Sequence, residues 1–80
     1  MNLEEFREKI ETIKDSELLR YVQKYVCLSL ADANDPAAHS HTMLDLAYVE
    51  CIHRGMERLY DKTYETVCRE PQVCKVLLAA

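Results

Sequence analysis

Three histidines and four cysteines are the side chains of this sequence best suited to chemistry, and their spacing limits what they can do. His39 and His41 flank Ser40. Two imidazoles at i,i+2 grip one metal ion when the chain is extended, because alternate side chains then share a side; in a helix they diverge by about 160°. The segment from Ala37 to His41 lacks apolar periodicity and reads as a loop or loose turn, so a metal-binding module through the His39/His41 loop is one candidate function. Cys27, Cys51 or His53 would have to complete the ligand set, and none shows the C-x2-C spacing of a strong zinc motif. A solvated loop with two ordinary histidines is the plainer reading, and neither a metal nor a cofactor is assigned.

Cys68 and Cys74 lie on either side of Pro71. A redox pair more usually shows C-x-x-C, so two small apolar side chains beside a turn are the simpler account. The N-terminal MNLEEFREKIE contains no apolar leader core, which places the protein in the cytoplasm and predicts free thiols at Cys27, Cys51, Cys68 and Cys74. Cys51 and His53, two apart on a helix, face different ways and make no nucleophile–base pair. Cys27 meets a histidine only through tertiary contact. A single glycine leaves no phosphate-cradling loop, and the carboxylates pair with Lys or Arg at helical spacings as on a solvated face. No catalytic residue stands out, so the protein is expected not to be an enzyme.

The elements that would carry these residues are helical. One Gly and two Pro among 80 residues leave little material for hairpins. Leu3, Phe6, Ile10 and Ile13 recur at helical spacing, with Asn2 as the cap and Glu5 three residues on. A second helix, from about Glu17 to Ala33, follows a cap at Asp15 or Ser16 and turns Leu18, Leu19, Val22, Tyr25, Val26, Ser29 and Leu30 to one side. Asn34-Asp35-Pro36 stops it. A third helix starts at Pro36 or, preferably, near Thr42 and runs unbroken to Glu70, a rod of about 40 Å. Its stripe is Leu44, Tyr48, Ile52, Gly55, Met56, Leu59, Thr63 and Val67, broadened by Val49 and Tyr60. Met43, Leu46, Ala47 and Cys51 add apolar surface off the stripe, so the first half reads as buried on more than one side. Pro71 breaks the rod, and VCKVLLAA completes a short final helix. The expected fold is a single all-α domain spanning 1–80: a small bundle of three main helices, one of them long, plus a short C-terminal helix.

Partner surfaces follow from that picture. Gly55, in mid-helix on the apolar stripe, costs about 1 kcal/mol relative to Ala, which suggests a close helix crossing within the monomer, at a dimer axis or under a partner. Tyr21 and Tyr64 sit at the edges of their stripes, where a half-wet aromatic suits an interface. Leu77 and Leu78 in the apolar tail, together with the small core of an 80-residue chain, motivate a homodimer.

Charge narrows the partner. The net charge is −4, spread as eight acids and five bases in residues 1–40 and six and five in 41–80. No basic stripe is available to displace counterions from phosphates, and no apolar run approaches the roughly 20 residues of a membrane span. A non-enzymatic protein–protein interaction module, a small adaptor or inhibitor binding one larger protein, is therefore the leading function. The alternative is a helical DNA-binding regulator acting as a dimer, with Arg54, Arg58, Lys62 and Arg69 on the phosphates; the interleaved Glu50, Glu57, Asp61 and Glu65 argue against it.

Overall fold

A computed structural model describes residues 2–79, with side chains as far as residue 77. It is all-α. Five helices follow one another: α1 (Leu3–Thr12), α2 (Asp15–Ala31), α3 (His39–His53), α4 (Glu57–Arg69) and α5 (Gln72–Ala79). Helix α2 lies at the centre, against α3, α4 and α5, while α1 packs on α3.

The start of α1 is the one read from the sequence. Asn2 Oδ1 accepts the Glu5 backbone N–H at 2.8 Å, satisfying one of the donors that every helix start leaves unpaired. The i,i+4 pair Phe6 and Ile10 is buried, and α2 contributes Leu18, Val22, Val26 and Cys27 to the same core. Phe6 meets Tyr21 and Tyr25 edge-on at 5.7 and 5.1 Å, an arrangement that sets ring edge against ring face.

The long rod does not form. The molecule measures 28 × 25 × 23 Å, too short for it in any direction. Helix α3 stops at Gly55, whose φ of 72° is left-handed. The Met56 N–H reaches back to the Cys51 carbonyl at 2.7 Å and the Gly55 N–H to the Ile52 carbonyl at 3.0 Å. This doubled closure ends a helix on a left-handed residue, and buried Met56 over buried Cys51 supplies the apolar contact that accompanies it. Gly55 is therefore a helix stop and not a notch for a crossing helix. It is exposed, and a Cβ built on it meets nothing within 4 Å.

Breaking the rod also re-sorts its apolar stripe. Met43, Leu44, Ala47 and Cys51 of α3, Met56 of the turn, and Tyr60 and Val67 of α4 are buried, whereas Ile52 and Leu59 face solvent. The expected start near Thr42 moves as well, to His39. Ser40 donates to Asp32 Oδ2 at 2.8 Å and the His41 ring bonds the Asp32 and Asp35 carbonyls, fixing the first turn of α3 from outside.

The expectation of four free thiols fails at one pair. Cys27 and Cys74 form a disulfide across 47 residues, with Cα atoms 5.4 Å apart, tying α5 to α2. Cys51 is a buried thiol and Cys68 an exposed one.

Candidate interaction surface

Helix α3 is apolar nearly all round, and a helix of that kind expects neighbours on every side. One side lacks them. While Met43, Leu44, Ala47 and Cys51 are buried, Val49 and Ile52 are 61% and 45% exposed. Beside them, α1 and α3 line a groove of about 490 Å³, with Ile10, Leu46 and Val49 forming apolar walls and Arg7, Glu11, Glu50 and His53 a polar rim.

Arg54 keeps the two walls of this groove in register. Its Nη2 donates to the Ile10 carbonyl at 2.7 Å, at the end of α1. Its Nε and Nη1 bind Glu50 Oε2 at 2.7 Å and Asp15 Oδ1 at 2.8 Å. One planar fork thus joins α1, the start of α2 and the end of α3, a geometry a lysine does not supply. The Glu50 and Asp15 carboxylates raise the guanidinium further above its already high ordinary pKa. The sequence makes Arg54 a candidate phosphate ligand on a solvated face, but its side chain is only 17% exposed and bonds Glu50, Asp15 and the Ile10 carbonyl inside the fold. Of the other three bases, Arg69 pairs with Glu65, and Arg58 and Lys62 are exposed on α4.

The histidine segment has a different geometry from the expected loop. His39 and His41 lie in the first turn of α3 and diverge, with His39 exposed and His41 half-buried. His41 Nε2 lies 3.1 Å from the Asp32 carbonyl and 3.0 Å from that of Asp35. Carbonyls only accept, so Nε2 carries a proton, and Nδ1 shares a 2.7 Å hydrogen bond with Ser29 Oγ, accepting from the hydroxyl in the neutral ring. The separation suits a nucleophile–base pair. However, Ser29 sits in the last turn of α2, where the negative end of the helix dipole opposes an alkoxide, and the ring instead ties off the end of that helix. Among the described residues no group of three or more His, Cys, Asp or Glu is placed to hold a metal ion. Burial pushes the Cys51 thiol pKa up, away from thiolate chemistry.

The residues singled out for partners do not converge. Tyr21 and Leu77 share a groove between α2 and α5, together with Glu17, Arg20, Gln23 and Lys24. The Tyr21 ring stacks on Tyr25, with Lys9 over its face. Tyr64 is 38% exposed on α4, its ring 6.1 Å from that of Tyr60, whose hydroxyl burial drives up to about 12. Gly55 occupies the α3–α4 turn, and the Leu78 side chain lies outside the described residues. The surface the sequence missed is Val49 with Ile52. Its signal is the surplus of apolar residues around α3, which reads from sequence as burial on more than one side. No family model, no curated protein and no solved structure matches this chain.

Proposed function

We propose that the protein is a non-enzymatic interaction module, an adaptor or inhibitor that binds one larger protein by receiving an amphipathic helix of that partner along the α1–α3 groove. The carrying observation is the outward Val49 and Ile52 on a helix whose opposite side lines the core. The groove follows α3 from Leu46 to His53, about 10 Å, which matches two turns of a docked helix and its i, i+3, i+4, i+7 anchors. Bases and acids alternate on the rim and suit a mixed-charge partner better than a nucleic acid. Self-pairing as a homodimer would use the same face. The DNA-binding alternative is the weaker reading because Arg54 is spent within the fold, and the metal-binding one because both His41 nitrogens are engaged.

A cytoplasmic setting belongs to the same proposal. No helix among the described residues is long and apolar enough to cross a membrane. The Cys27–Cys74 bridge weighs towards an oxidising compartment, and rapid acid quenching of host cells followed by thiol alkylation and mass measurement decides between the two.

The functional test compares the native chain with Val49→Asp, in the groove wall, and Ile52→Asp, on the exposed face beside it, substitutions expected to leave the helical signal and melting temperature unchanged. Both variants should lose, by tenfold or more, one host protein that the native chain captures in quantitative mass spectrometry. Equal capture by all three refutes the groove. Sedimentation showing a dimer that Val49→Asp dissociates would assign the face to a second copy instead.

A further inference from the structure

Helix α5 differs from the other four in what holds it. Among the described side chains, all thirteen buried apolar residues, from Phe6 to Val67, lie outside it. Among its described side chains Val73, Cys74 and Leu77 are half-buried, and Val76 is 74% exposed. Pro71 precedes it and breaks continuity with α4. Against that sparse packing stands one covalent tie, from Cys74 to Cys27, and Cys27 on α2 is only 2% exposed.

We infer that the Cys27–Cys74 disulfide is a redox latch, through which a dithiol reductant releases α5 from α2 while α1–α4 stay folded. The unequal exposure of the two sulfur-bearing residues sets the direction of attack. A thiolate of the reductant reaches the half-buried Cys74 Sγ, forming a mixed disulfide and expelling the Cys27 thiolate, which takes a proton from water. The second thiol of the reductant attacks its own sulfur in that mixed disulfide and frees Cys74 as a thiol. Two electrons pass to the protein, and the reductant leaves as its disulfide. With the tie gone, Leu77 lifts from its groove on α2 and uncovers the side of that helix bearing Tyr21, Gln23 and Lys24. No described side chain of α5 is fully buried, so the core of α1–α4 stays intact and opening stays local. Reduction therefore changes the surface of the molecule and not its fold.

Amide hydrogen exchange before and after native-state treatment with dithiothreitol tests this, with thiols counted by alkylation and mass. The expected result is two new thiols, and a loss of protection in residues 72–79 at least tenfold greater than in α2 or α3. Cys74→Ser, which has no bridge, should reproduce the reduced pattern without reductant. Oxidised dithiothreitol should restore slow exchange to the native sequence alone. A bridge that resists reduction in the folded protein overturns the latch, as does an α5 that stays protected once reduced. A loss of protection in α1–α4 as large as that in α5 overturns it too, because the bridge then acts only as a staple of the whole fold.

Discussion

At one end of the molecule the ten-residue α1 is held by Phe6 and Ile10 inside the core and by an arginine fork on the Ile10 carbonyl. At the other, the eight-residue α5 places no described side chain fully in the core and is held by a disulfide. Both are short helices on a larger body. Burying Phe6 and Ile10 contributes roughly 3–5 kcal/mol by transfer alone, in any redox state. The disulfide acts chiefly by restricting the unfolded chain, and only while it is oxidised. One attachment is therefore constitutive and the other conditional.

The largest expected effect comes from removing the conditional tie. Closing a loop of 47 residues is worth about 4 kcal/mol in the chain-entropy account. Cys74→Ser should accordingly lower unfolding stability by about 3–4 kcal/mol in denaturant melts without reductant, and by little when both proteins are reduced. A loss that persists under reduction would show that Cys74 matters through packing, which would make the two ends alike.

At the constitutive end, Arg54→Ala strands the Ile10 carbonyl and the Glu50 carboxylate, both poorly exposed, and should cost about 2–3 kcal/mol regardless of redox state. Asp15, 70% exposed at its side chain, is the outer arm of the same fork, and Asp15→Asn should cost less than about 1 kcal/mol. Should the two substitutions cost the same, the fork works through surface charge and not through the buried carbonyl.

Alkali probes a third attachment, that of α4, which depends on burial of Tyr60. Burial raises its hydroxyl to about 12, against an ordinary value near 10 in the unfolded chain. The folded state then binds more protons over that interval, so the contribution is complete below about pH 10 and is lost as pH rises towards 12. Tyr60→Phe should abolish this component, about 2 kcal/mol at most, when reduced proteins are melted across that range. A pH slope unchanged in the variant would place the effect on other groups.

How far these attachments were legible follows from their physics. Helices α1 and α2 declare themselves because period and breaker are local, and Asn2 with Glu5 sits at the expected spacing. The cap expected at Asp15 or Ser16 is absent: α2 starts at Asp15 after Lys14 with no side-chain cap. The start of α3 was not legible. Ala37-Ala38-His39 has no period of its own, and the first turn forms because Asp32 and Asp35, several residues earlier, bond Ser40 and His41. The Cys27–Cys74 pairing was hidden for a similar reason: four cysteines allow several pairings, and only tertiary approach selects one. Of the site, the apolar excess of α3 could be seen, but which of its residues stay uncovered depends on where the rod breaks.

That break carries one of the smaller of these effects and the clearest sign. Read as a mid-helix glycine under a crossing helix, Gly55 predicts loss of stability on adding a methyl through crowding; as a plain flaw in a rod, it predicts a gain. In the structure φ is 72° and the space around the built Cβ is open, so neither account applies. L-residues disfavour the left-handed region by about 1 kcal/mol, and asparagine tolerates it better than alanine does. Gly55→Ala should therefore destabilise by about 1 kcal/mol, and Gly55→Asn by roughly half of that, although asparagine is the larger side chain. Crowding would reverse the order of the two variants, because the bulkier residue would then lose more. A continuous rod would make the alanine variant the more stable protein. Paired denaturant melts of the two substitutions separate all three cases, and only a loss with asparagine milder than alanine keeps the helix stop.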